Sequence, residues 1–400
     1  MTQPERESIL EIARAVAAEK LRPRADRHDR EGFFPSDNFH DLHSAGLTAL
    51  PLPKAYGGLG GGIDGDQRVF FSAVYEIARA CGSTALIYGH HAYVAGLVTQ
   101  LGSEEQKRRY FARVVNDGAL FASIGSEPAG GNPALMGTAA RRAEGGYVLN
   151  GRKRFGSGMG YAAFHMIWAQ LEGESDLRKG LLLLFVEPNH PQLRIIRDWN
   201  SMGMRATATD SMELQDCFVP DADVLEGPGA YFRLPLPGLL FHNDFAANFT
   251  GVAAGALDFA VQYVRTEARP WMGAHISRAI DDSFIQYRFG EMYALREAAL
   301  ALVMRAADEI QRAQDRGSPE DIERAAMAAW AAKVTATHAS GQITNMVFQV
   351  CGARATRLKC NLDRFWRDAR TFTLHDPVDG RYKALGAVLL GAHRHQTAII

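Results

Sequence analysis

Cysteine is scarce in this 400-residue chain, and Cys81, Cys217, Cys351 and Cys360 form no Cys-x-x-Cys pair. That argues against a disulfide frame or a cysteine-based zinc centre, and fits reduced thiols of a cytoplasmic protein. An excess of one charge is lacking too. The formal net charge is -1, so no global field draws the chain to nucleic acid or to an anionic membrane. No uninterrupted apolar run is long enough to span a bilayer. The opening residues Met1–Glu7 lack the apolar stretch of a signal peptide. The glycine run Gly57–Gly62 follows no strand and precedes no βαβ unit, so it is no dinucleotide loop and reads as a flexible connection. With 47% hydrophobic and 22% charged residues, the composition is that of a soluble globular protein with room for two or three domains.

What is present changes texture twice along the chain. Ile9, Leu10, Ile12, Ala13, Val16 and Ala17 repeat at helical spacing, and a second helix is expected around Phe39–Leu47. Helical pattern resumes from Phe70 to Leu101, and Ser103-Glu104-Glu105-Gln106 has the form of a capping box. From about Ala119 to Val224, short segments such as Tyr147-Val148-Leu149, Met166-Ile167-Trp168 and Leu181–Val186 alternate with Gly145-Gly146, Asn150-Gly151 and Pro188-Asn189. Long helices return after Pro237, with one over Phe245–Val264 and one over Asp282–Arg316. Ser318-Pro319-Glu320-Asp321 then opens an Ala-rich helix to about Val350. Shorter helices are expected over Leu362–Ala369 and Val378–Leu390. The expectation is an α+β chain with helices at 1–118, a β-domain at 119–225 and a helical bundle at 226–400.

Three stretches stand out: Gly125-Ser126-Glu127-Pro128-Ala129-Gly130-Gly131, Asn150–Gly158, and Phe365–Pro377 with its Leu374-His375-Asp376-Pro377 end. In that order and at those separations they resemble the acyl-CoA dehydrogenase superfamily of flavoproteins. Dehydrogenases of that superfamily usually carry a Glu base in the last loop, or on an internal helix. Here the loop holds His375, and the matching helix, His242–Asn248, has no Glu. The Leu-His-Asp-Pro version is similar to the flavin-dependent monooxygenase branch.

That resemblance implies the acyl-CoA dehydrogenase fold: N-terminal helices, a middle β-domain and a C-terminal four-helix bundle that assembles as a homotetramer. It implies a two-component enzyme in which a separate NAD(P)H-dependent reductase supplies FADH2 or FMNH2. The bound flavin then takes O2, forms a C4a-hydroperoxide and oxygenates a small organic substrate. The alternative is an acyl-CoA dehydrogenase oxidising a thioester with FAD.

The same resemblance assigns roles. Ser126 and Phe155 would meet the flavin ring, and Ser157 would place its hydroxyl near N5. Arg269 would pair with a phosphate, while Gln349 and Gly352 would meet flavin from a neighbouring subunit. His375 is the catalytic candidate, since an imidazole can hydrogen-bond or shuttle a proton near neutrality. His90 or His91, with Tyr93, would line the substrate cavity. Adjacent helical residues diverge by about 100°, so only one of the two histidines can face it. Asp244 stands near the internal-helix position of the dehydrogenase base and is a substrate-binding candidate. No metal is expected, because a His-His neighbour pair without a helically spaced carboxylate is a poor ligand set. The apolar and aromatic content suggests an uncharged ligand of an indole or thiophene type, although core packing accounts for the same residues.

Overall fold

In the computed structural model, residues 1–128 and 136–392 are described; Ala129, Gly130 and Gly131 of the first motif lie outside them. The chain opens with α1 (Gln3–Val16), capped by Thr2 in a capping box, and a π-helical turn leads into α2 (Arg22–Glu31) and α3 (Ser36–Ser44). Next come α4 (Gln67–Ala80), α5 (Gly82–Leu101) and α6 (Glu104–Asp117). Ser103 and Gln106 close a capping box at the start of α6. Helix α5 is buried nearly all round. A helix with no polar stripe has to sit at the centre of its layer, and α5 packs on α4, on the bundle helix α8 (Pro237–Thr266) and on strand β1 (Phe121–Ile124).

The remaining strands are β2 (Ala139–Ala143), β3 (Gly146–Gly156), β4 (Phe164–Leu171), β5 (Leu181–Val186), β6 (Leu193–Ile196) and β7 (Asp210–Pro220), with the single turn α7 (Leu177–Gly180) before β5. They form one sheet in the order β1-β4-β2-β3-β7-β6, with β5 on the other flank of β4. The β1–β4 and β2–β4 pairs are parallel and the rest antiparallel. Strand β5 is buried at every position, which its unbroken Leu181–Val186 run requires.

After the sheet, α8 packs against α9 (Ser283–Arg316) and α10 (Pro319–Cys351). Asp282 caps α9, and Ser318 caps α10 ahead of Pro319. Helices α11 (Asp363–Phe372) and α12 (Asp379–Leu389) bracket the Leu374–Pro377 loop. Helix α8 begins eight residues before the Phe245 start read from periodicity, with Pro237 in its first turn.

The glycine run is not a loose connection. Gly58, Gly60 and Gly61 donate to the carbonyls of Pro53, Leu52 and Leu50. A Cβ at Gly58 would stand 2.1 Å from the Leu52 carbonyl oxygen. Glycine is required there because two backbones touch.

Candidate active site

Four consecutive residues of α5 point at four different neighbours. Tyr88 donates its hydroxyl to the Leu47 carbonyl, 2.9 Å away. Gly89 faces Asp244 of α8, His90 faces the last loop, and His91 faces the sheet. His91 Nε2 lies 2.9 Å from the Thr48 carbonyl, and its Nδ1 lies 3.2 Å from the Phe121 amide. A carbonyl only accepts and an amide N–H only donates, so the ring is the neutral Nε2–H tautomer with both nitrogens spent. Burial brings its pKa down to about 4. Of the two cavity candidates, His91 is the one turned the other way: its ring fastens β1 and the Thr48 turn to α5, and both of its nitrogens are hydrogen-bonded.

His90 takes the other direction. Its ring stacks on Phe241 at 5.8 Å and stands 6.2 Å from the His375 ring, measured between centroids. His375 sits edge-on to Phe245 at 4.9 Å and lies 5.8 Å from Phe241. The Nδ1 atoms of both histidines are buried without a hydrogen-bond partner. Burial lowers the His90 pKa to about 3, with help from His375. It lowers that of His375 to about 4, with help from Lys333. Two neutral imidazoles thus share one aromatic cluster, each with an unpartnered Nδ1. Phe372 packs on Phe245 and Phe249 nearby.

The loop bearing His375 is held by a buried ionic cluster that its own sequence does not announce. Asp376 has a positive φ of 56°. Its carboxylate meets Lys333 of α10, His242 Nε2 at 3.1 Å and Arg381 at 3.2 Å. Burial raises the Asp376 pKa, but hydrogen bonding from His242 and the charges of Lys333 and Arg381 outweigh it, and the carboxyl ends far below its usual range. Burial takes Lys333 down to about 8. The only advance signal was a lysine in the middle of an alanine-rich helix.

On the sheet side, Ser157 is buried and its Oγ lies 2.9 Å from Thr209 Oγ1. Thr209 Oγ1 lies 2.5 Å from Thr207 Oγ1, which donates to the Met204 carbonyl at 2.8 Å. The chain has one direction. Thr207 spends its proton on a carbonyl, so Thr209 donates to Thr207 and Ser157 donates to Thr209. Ser157 is left with lone pairs only. Its neighbour Gly158 seats against α5, where an added Cβ would meet Ile87 at 3.5 Å, one turn before His90.

Phe155 has a φ of 56°, is more than half exposed and meets Trp199 edge-on. Ser126 is partly exposed, and its carbonyl accepts from the Arg154 amide. Beneath that turn, the fully buried Lys153 pairs with Glu127 at 2.7 Å and donates to the Gly125 carbonyl. This staple was not foreseen. Arg269, Gln349 and Gly352 are exposed on the bundle, and among the described residues no hydrogen bond or ring contact joins them to the histidine pair. Tyr93 donates to the Tyr231 hydroxyl at 3.0 Å and puts its ring 5.2 Å from Phe241.

A flavin ring needs a polar edge contact for N5 and an apolar surround with room for an oxygen. Some of the residues present fit that need: Ser157 offers an acceptor, and the His90 and His375 Nδ1 atoms are buried without partners among Phe241 and Phe245.

Comparison with known proteins agrees on the architecture. The N-terminal, middle and C-terminal domain profiles of acyl-CoA dehydrogenase match residues 3–117, 122–217 and 244–379. Dibenzothiophene monooxygenase of Rhodococcus qingshengii is 32% identical over 385 residues, covering 94% of this chain and 91% of that protein. The crystal structure of TdsC from Paenibacillus sp. A11-2 with FMN and indole superposes with a TM-score of 0.90 at 27% identity, covering 98% of this chain and 99% of that one. Methanesulfinate monooxygenase MsuC from Pseudomonas fluorescens does so with a TM-score of 0.88 at 28% identity over the whole of both chains.

Proposed function

The chain belongs to the acyl-CoA dehydrogenase family, and we propose that within this fold it works as a two-component flavin-dependent monooxygenase. Reduced flavin, when bound, supplies electrons that activate O2, so that one oxygen atom passes to an organic substrate. The FMN-bound relative favours FMN over FAD. A separate NAD(P)H-dependent reductase delivers the flavin in reduced form. No helix among the described residues is long and apolar enough to cross a membrane. The four free cysteines support a reducing cytoplasm as the setting.

The observation that carries this reading is the His90–His375 pair. Both imidazoles are neutral at physiological pH, and each has a buried nitrogen without a partner. His375 Nδ1 hydrogen-bonds the reacting oxygen as a neutral imidazole, and His90 stands beside it at 6.2 Å between ring centroids. Ser157 accepts a hydrogen bond from an N–H at the edge of the reduced ring. Ser126 and Phe155 border the ring. Arg269, Gln349 and Gly352, exposed on one protomer, serve the flavin of a neighbouring subunit in a homotetramer.

The dehydrogenase alternative needs a carboxylate base to remove an α-proton. Neither candidate suits. Burial drives Asp244 toward its neutral form, and Asp376 is held as an anion by two cations and a histidine, which leaves it a feeble base. The deciding experiment supplies reduced FMN, isotopically labelled O2 and indole, and follows the label by mass spectrometry. Label in the product supports the oxygenase. Unlabelled products, together with reduction of bound FAD by an acyl-CoA thioester, would make the protein a dehydrogenase.

A further inference from the structure

Helix α11 touches both halves of the site. Asp368 and Phe372 are both buried and stand one turn apart on it. Phe372 packs on Phe245 beside His375, and its carbonyl accepts from the His375 amide at 2.9 Å. Asp368 meets the β-domain instead: its Oδ1 accepts from the Met204 amide at 2.6 Å. The preceding Gly203 lies directly on the helix, where an added Cβ would stand 2.0 Å from the Arg367 carbonyl oxygen. Arg367 donates in turn to the Met202 carbonyl at 2.8 Å. The turn at 202–204 is thus seated on α11 through each of its residues.

Met204 is also where the hydroxyl chain to Ser157 is anchored. Its carbonyl accepts from Thr207 Oγ1 at 2.8 Å and from Trp199 Nε1 at 2.9 Å. The Thr207 carbonyl accepts from the Gly158 amide at 2.8 Å, so the same turn grips the chain next to Ser157. Met204 has a φ of 49° and Ala208 one of 45°. A residue with a side chain keeps that left-handed backbone only where its surroundings enforce it. At Met204 the enforcing bonds are the Asp368 carboxyl on its amide and the two donors on its carbonyl. Without the carboxyl, the amide would be buried with no acceptor. Met204 would then relax, its carbonyl would turn, and Thr207 would lose the acceptor that fixes the direction of its proton.

We propose that Asp368 is a positioning residue for the flavin site: through Met204, Thr207 and Thr209 it keeps the Ser157 hydroxyl an acceptor only, and so favours reduced flavin, which carries N–H at N5. Helix α11 is then the spacer that sets Ser157 and His375 in one frame. The proposal rests on reading Ser157 as the contact to the flavin edge.

The test titrates the full-length protein anaerobically with oxidised and with reduced FMN and reads the ratio of the two dissociation constants. Asp368→Ala is expected to lower that ratio about tenfold, the value of one hydrogen bond. Asp368→Asn, whose carboxamide oxygen still accepts from the Met204 amide, should keep the wild-type ratio. Asp368→Ala added to Thr209→Val should lower it no further, because both variants break the same chain. If the Ala variant does not fold, Gly203→Ala makes the same test, since its Cβ lifts the turn from α11. An unchanged ratio, loss of both affinities in equal proportion, or a further fall in the double variant each overturns the proposal. So does an Asn variant as poor as the Ala variant, which would assign the effect to the lost charge. Thr209→Val separates the two claims. If it leaves the ratio unchanged, Ser157 does not meet the flavin and both claims fall; if it lowers the ratio and Asp368→Ala does not, only the role of Asp368 falls.

Discussion

Lys333, near the middle of α10, donates to both the carbonyl oxygen and the carboxylate of Asp376, the residue after His375. The ammonium is almost wholly buried, so the loop is fastened from beneath. Removing one partner of a buried ion pair leaves the other charge uncompensated. Lys333→Met is therefore expected to destabilise the protein by about 3 kcal/mol, somewhat offset by the remaining Arg381 and His242 contacts. Denaturant unfolding measures it. A loss below about 1 kcal/mol would show that the cluster contributes no more than a surface pair.

His90 and His91 are neighbours with opposite expected phenotypes. His90→Ala and His375→Ala should each lower oxygenation by roughly a hundredfold, the lower end of what a positioned polar group contributes, at a stability cost set by the cavity alone. His91→Ala should cost stability, because it frees a carbonyl and an amide in the core. Steady-state rates and thermal melts of the three variants check this. Activity lost in His91→Ala at full stability would reverse the assignment.

The buried histidines also set an acid limit. His91, His165 and His242 each have a folded-state pKa of about 4, lowered from 6.5 chiefly by burial. Between those values the unfolded chain binds more protons than the folded one, so stability rises with pH across the window. Their contribution to stability is complete above about 6.5 and is lost as pH falls toward 4. Unfolding free energies measured from pH 7 to pH 4 should therefore decline, less steeply in a His91→Gln variant that keeps its fold. A flat profile would mean that the rings accept protons without penalty.

Much of the helical frame was legible because its signals are local. Ser103 with Gln106, Asp282, and Ser318 before Pro319 lie within a turn of what they cap. The choice between His90 and His91 was not legible, since it depends on which way α5 turns against β1 and α8. The Asp376–Lys333 and Ser157–Thr209 pairs, 43 and 52 residues apart, leave no local trace. Gly57–Gly62 misled for a related reason. Glycine marks both freedom and close backbone approach, and only the Leu50–Pro53 backbone lying against the run decides between them.

The direction of the hydroxyl chain has its own consequence. With Thr207 and Thr209 both committed, Ser157 can accept but not donate, and that decides what it can do for the flavin edge proposed to lie against it. Reduced flavin carries N–H at N5, whereas the oxidised ring presents a lone pair there, so the site should prefer the reduced form. Thr209→Val breaks the chain and frees the Ser157 proton to turn toward the oxidised ring. The ratio of oxidised to reduced FMN dissociation constants, measured by anaerobic titration, should then fall about tenfold, the value of one hydrogen bond. Thr209→Ser, which restores a hydroxyl, should restore the ratio. Loss of both affinities in equal proportion would assign Thr209 to packing alone, because a purely structural defect has no reason to distinguish the two oxidation states.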